Sequence, residues 1–148
     1  MISIQRSCIA LLLCAGAVSS ALAQNDFAQV AAKEPGAKVT ASGLVFRSLQ
    51  DGQGASPVAT DKVKVHYRGT FPDGKEFDSS FKRNQPIDFP LNAVIPCWTE
   101  GVQLMKVGGK AKLTCPPAIA YGARGAGGVI PPNATLQFEV ELIAIAGR

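Results

Sequence analysis

The sequence predicts an α+β domain in which a curled antiparallel sheet of about five strands wraps around one short helix. Three observations carry this. Several short segments alternate apolar and polar residues, one segment has apolar residues at helical spacing, and 148 residues suit one hydrophobic core better than two. A sheet curled around a helix buries the apolar face of each against the other.

The first residues stand outside this fold. Arg6 gives a positive start, Cys8 to Val18 are all apolar or small, and Ala21-Leu22-Ala23 precedes Gln24 as a small-x-small cleavage signal. Residues 1–23 therefore read as a secretory signal peptide. The apolar run is about half of the roughly 20 residues that a membrane span needs, so no span is expected. Cys14 follows Leu13 instead of the small residue that precedes a lipidated cysteine, so a lipid anchor is not expected either. Residues 24–41 are small, polar and broken by Pro35-Gly36, and read as a flexible arm with no face to bury. The domain proper is expected over residues 42–148.

Within it, Leu44 to Leu49 is a short apolar-rich strand closed by the turn Asp51-Gly52-Gln53-Gly54. Val63, Val65 and Tyr67 then alternate with Lys62, Lys64, His66 and Arg68, the pattern of a strand with one buried face. Pro72-Asp73-Gly74 supplies a turn, because proline presets φ and glycine tolerates the left-handed conformation. Glu76 to Ser79 and Ile87 to Leu91 follow as extended pieces. The helix is expected between Pro96 and Lys106: proline suits a first turn, Trp98, Val102 and Met105 fall at i, i+4 and i+7, and Gly108-Gly109 stops the segment. Lys110 to Cys115 alternates again, and Leu136 to Ile145 sets Leu136, Phe138, Val140 and Leu142 opposite Gln137, Glu139 and Glu141. Between these two strands residues 116–134 form a loop rich in glycine and proline, long enough in a small domain to suggest a function.

Composition excludes several classes of activity. Beyond residue 23 the chain holds 14 basic and 11 acidic residues, with its lysines interspersed along strands, so no nucleic-acid patch is expected. No zinc-finger, Rossmann or phosphate-loop spacing is present, and neither a metal nor a cofactor is expected. Cys8 and Cys14 leave with the leader, which leaves Cys97 and Cys115 in a chain bound for an oxidising compartment. A disulfide between them is expected, with a buried thiol pair as the alternative. His66 faces away from Tyr67 and has no nucleophile-base constellation beside it, so it reads as structural.

The stretches Val65-His66-Tyr67-Arg68-Gly69, Asp73-Gly74-Lys75-Glu76-Phe77-Asp78-Ser79-Ser80, Val94-Ile95-Pro96-Cys97-Trp98, Ala120-Tyr121-Gly122 and Ile130-Pro131-Pro132-Asn133-Ala134-Thr135-Leu136 together resemble the FKBP family of prolyl isomerases. The resemblance runs in order from about Ser42 to Leu142. The opening Thr40-x-Ser42-Gly43-Leu44 is similar to the bacterial envelope branch, which includes macrophage infectivity potentiators. Those relatives carry a long helical dimerisation domain; with only the short arm here, a monomer is expected, in the periplasm or secreted.

The resemblance implies an activity and a site. Rotation about an X-Pro bond would be accelerated in proline-containing peptides or unfolded proteins. The catalytic positions would be Tyr67, Asp78, Ile95, Trp98 and Tyr121, with Phe77, Ile87, Phe89, Val94, Ile130 and Phe138 completing the pocket. Trp98 would be its floor, the Tyr121 hydroxyl and the Ile95 N–H would hold substrate carbonyls, and Asp78 would bond the Tyr67 hydroxyl. Ile87 stands where many members have an aromatic residue, which bears on affinity for tacrolimus-type macrolides. The competing expectation is a non-enzymatic chaperone or binding module using the same groove. Taken without the motifs, Phe77, Phe89, Val94 and Phe138 would read as ordinary core residues.

Overall fold

The computed structural model describes residues 26–147. The expected signal peptide lies outside them. Residues 26–32 are helical (α1). The strands are β1 (Ala37–Val39), β2 (Val45–Gln50), β3 (Lys62–Thr70), β4 (Glu76–Ser79), β5 (Ile87–Pro90), β6 (Lys110–Cys115) and β7 (Leu136–Ile145), and the helix of the core is α2 (Pro96–Gln103). All pairings are antiparallel. Among the described residues the sheet has seven strands, in the order β1-β2-β6-β7-β3-β4, with β5 also pairing with β3.

The alternation seen in the sequence becomes the inside and outside of this sheet. Val63, Val65 and Tyr67 of β3 and Leu136, Phe138, Val140 and Leu142 of β7 are buried, facing α2. Trp98 and Val102 of α2, with Met105 just beyond it, meet them. The contact is close: a Cβ at Gly101 would lie 2.8 Å from Leu113 Cδ2, so glycine lets the helix sit directly on β6. Removing this apolar surface from water is the dominant favourable term in such a fold.

Two departures from expectation stand out. Residues 24–41 were expected to be an arm with no face to bury, yet Ala31 of α1 is buried and β1 extends the sheet. The tie is electrostatic: Glu34 accepts from Arg47 Nη1 at 2.7 Å and from Lys112 Nζ at 2.9 Å, joining the turn before β1 to β2 and β6. Ser42 adds a hydrogen bond from its hydroxyl to Glu100 Oε2 at 2.5 Å, on α2. The helix itself ends at Gln103, three residues short of Lys106, where the Leu104 N–H turns back to the Gly101 carbonyl.

Residues 116–134 are a loop, as expected, but an organised one. A short 3-10 turn spans Pro117–Ile119, Ala126 bridges Ile130, and the Asn133 N–H reaches the Gly122 carbonyl at 2.8 Å. Gly125 has φ 64°, and a Cβ there would lie 2.3 Å from the Ile130 carbonyl oxygen, so the loop closes only over a glycine.

Candidate active site

The curvature of the sheet leaves an opening at the N-terminal end of α2. A cavity of ≈ 440 Å³ lies there, lined by Tyr67, Phe77, Asp78, Phe89, Ala93, Val94, Ile95, Trp98, Tyr121 and Phe138. Each element delivers its part through local geometry. β3 points Tyr67 inward by alternation. β4 brings Phe77 and Asp78, and β5 brings Phe89. The segment from Ala93 to Ile95 leads into α2, which presents Trp98, while β7 adds Phe138.

Trp98 is 4 % exposed and ringed edge-on by aromatic side chains: Tyr67 at 5.2 Å and 82°, Phe138 at 5.4 Å and 88°, and Phe89 at 5.6 Å and 82° between ring centroids. Edge-to-face packing is the arrangement the ring quadrupoles favour, so the walls hold one another. The indole Nε1 has no hydrogen-bond partner among the described residues. The indole is therefore held by packing against these rings and not by a hydrogen bond of its own.

The polar side of the cavity is a three-residue cluster. The Tyr67 hydroxyl donates to Asp78 Oδ2. Arg83 Nη1 donates to Asp78 Oδ1 at 2.7 Å, and its Nη2 to the Tyr67 hydroxyl oxygen at 3.3 Å. The Ser79 N–H also reaches Asp78 Oδ1, at 2.9 Å. Burial pushes the Asp78 carboxyl up, but the Arg83 and Tyr67 hydrogen bonds outweigh it and hold the group below its ordinary value. Tyr67 moves the other way, raised first by burial and then by the Asp78 carboxylate. Asp78 is thus a fixed negative charge and Tyr67 a fixed donor.

Two further groups face the opening with free capacity. Tyr121 is 39 % exposed at the rim. The Ile95 carbonyl accepts from the Trp98 and Thr99 N–H groups at 2.9 and 3.2 Å, whereas its own N–H has no backbone partner among the described residues. Behind the floor, Cys97 and Cys115 are buried and joined as a disulfide with Cα atoms 5.8 Å apart.

Nine of the eleven expected site residues line the cavity. Ile87 and Ile130 do not. Ile87 is on β5 opposite Val65, two residues before Phe89, and packs on the edge of the core. Ile130 is 7 % exposed and belongs to the core beneath the loop. Arg83 and Ala93 had no sequence signal of their own. The spacing Asp78-x4-Arg83 across a turn is the one hint that a cation could return to that carboxylate. His66 lies on the outer face, its Nδ1 2.8 Å from the Ser80 hydroxyl and its ring stacked on Phe81 at 4.7 Å.

Comparison with known proteins gives the same direction. The family model for FKBP-type peptidyl-prolyl cis-trans isomerases matches residues 53–143. The FKBP-type isomerase FkpA of Aeromonas hydrophila is 59 % identical over 114 residues, 77 % of this chain and 42 % of that protein. The FKBP-type 22 kDa isomerase of Escherichia coli is 54 % identical over 114 residues, 77 % of this chain and 55 % of its own length. The chain thus spans about half the length of these curated relatives. The crystal structure of a peptidyl-prolyl cis-trans isomerase from Pseudomonas syringae superposes with a TM-score of 0.80 at 42 % identity, covering 88 % of this chain and 96 % of that one. Since the matched span carries β3 to β6, α2, most of β7 and the whole lining of the cavity, the chain belongs to the FKBP-type peptidyl-prolyl cis-trans isomerase family.

Proposed function

We propose that the chain is a prolyl isomerase that accelerates rotation about X-Pro bonds in exported polypeptides. The observation that carries this is the cavity itself: an aromatic box over Trp98 with a fixed carboxylate on one side and an open backbone N–H on the other. Rotation is opposed by amide resonance, with a barrier of roughly 18–20 kcal/mol, and requires no bond to break. A catalyst must favour the twisted amide over both planar forms. The planar amide is the better hydrated, so a cavity walled by rings penalises it more than the twisted state.

In this reading the proline ring rests on Trp98 and the Tyr121 hydroxyl and Ile95 N–H anchor the flanking carbonyls. Asp78, held ionised by Arg83, sits beside the turning carbonyl and exchanges no proton. The apolar leader and the disulfide support an oxidising, extracytoplasmic setting such as the periplasm. A tacrolimus-type macrolide is expected to compete for the same cavity.

The test is cis-to-trans exchange of a proline-containing peptide, followed by NMR with the full chain present. Acceleration that is lost together with cavity-filling substitutions supports the reading. A rate equal to the uncatalysed one overturns it.

A further inference from the structure

At the far end of α2 from the aromatic cavity is a second concavity, of ≈ 280 Å³, which shares no residue with the first. Its floor is apolar: Phe46 and Met105 are buried, and Leu104 stands at the lip, 52 % exposed. Lys38, Lys106 and Lys110 surround it. Among the described residues Lys38 and Lys106 have no ion-pair partner, and Lys110 approaches Glu141 no closer than 4.0 Å. The carboxylate in the lining, Asp51, already accepts from the Ser48 hydroxyl at 2.6 Å.

The groove is shaped by backbone. A Cβ at Gly52 would come within 2.3 Å of the Lys106 carbonyl oxygen, and the Val107 N–H donates to the Ala55 carbonyl at 3.0 Å, so the two turns that bound it are locked together. Lys38 belongs to β1, the terminal strand of the sheet, whose outer edge no described strand pairs. An edge strand offers main-chain donors and acceptors to an extended chain.

We propose that this groove binds an extended acidic segment of another polypeptide, its carboxylates meeting Lys38 and Lys106 and an apolar side chain between them resting on Phe46, Leu104 and Met105. Three ammonium groups, one of them paired with Glu141, against the single carboxylate of Asp51 leave the lining net positive around its apolar floor and select that chemistry over a basic or a purely apolar partner. The site works independently of isomerisation, because none of these residues reaches the aromatic cavity.

The experiment is fluorescence anisotropy of a fluorescein-labelled, proline-free Glu-Leu-Glu-Leu-Glu peptide titrated with the full chain, beside its Lys-Leu-Lys-Leu-Lys counterpart. The acidic peptide is expected to bind, to weaken between about 50 and about 500 mM salt, and to lose about tenfold in affinity in Lys38→Ala/Lys106→Ala. Leu104→Glu, which removes no lysine, is expected to abolish binding at this exposed position. Both variants should keep the thermal midpoint and the cis-to-trans exchange rate of the wild type. Equal binding of the two peptides, binding unchanged in both variants, displacement by a proline peptide, or adsorption to anionic phospholipid vesicles without peptide binding would each overturn the proposal.

Discussion

Asp78 is partly buried and remains a carboxylate because Arg83 and Tyr67 hold it there. Its folded pKa is below the unfolded value of about 3.9, so its contribution to stability is complete above that value and is lost as pH falls through the folded one. The stability difference between wild type and Asp78→Asn should therefore be constant from about pH 5 to 8 and shrink below about pH 4. Urea unfolding at stepped pH measures it. Tyr67 has the opposite sign: raised above its ordinary value, its contribution is complete below about pH 10 and is lost above it as the unfolded chain ionises first. At the rim, Tyr121→Phe deletes one hydroxyl without touching the walls. If that hydroxyl holds a substrate carbonyl, kcat/KM should fall about two- to tenfold, matching about 0.5–1.5 kcal/mol for one hydrogen bond, with the thermal midpoint unchanged.

At the scale of elements, the cavity depends on how closely β3, β4 and β7 approach. Gly69 pairs with Asp78 on one side and with Phe138 on the other. A Cβ there would lie 2.4 Å from Phe77 Cζ and 3.1 Å from Phe138 Cε1. Gly69→Ala should thus move the Phe77 wall, costing about 1–3 kcal/mol of stability as overpacking does and raising KM more than it lowers kcat. Thermal unfolding with peptide kinetics separates the two effects. The elements were legible where periodicity was strong: β3 and β7 announce themselves by alternation and α2 by Trp98, Val102 and Met105. β1 was not legible, because Ala37-Lys38-Val39 has no pattern of its own and forms by pairing with β2 and through the Glu34 ion pairs. Arg83 was missed for a related reason. It lies in a turn without periodicity, and only the fold returns it to Asp78. Ile87 and Ile130 do not line the cavity, and sequence order could not show it because it carries no measure of depth: Ile87 lies two residues before Phe89 on β5, and Ile130 is a loop residue whose side chain is buried in the core.

For the whole molecule, the disulfide inside the core and the half-buried Glu34 cluster are two long-range ties. The Cys97–Cys115 bridge encloses α2 and β6 with a sequence separation of 18, for which the chain-entropy relation gives about 3 kcal/mol. Reduction should lower the free energy of unfolding by about that amount, read from guanidinium melts with and without dithiothreitol. A difference below about 1 kcal/mol would remove the bridge from the account of stability. Because one end of the bridge precedes Trp98 and the other begins the segment leading to Tyr121, the floor and the rim of the cavity share this anchor.

The same bridge spans the exposed turn at Leu104 and Lys106. A protease that cuts after Lys106 would leave the two fragments covalently joined, so the nicked protein would migrate as one band without reductant and as two with it.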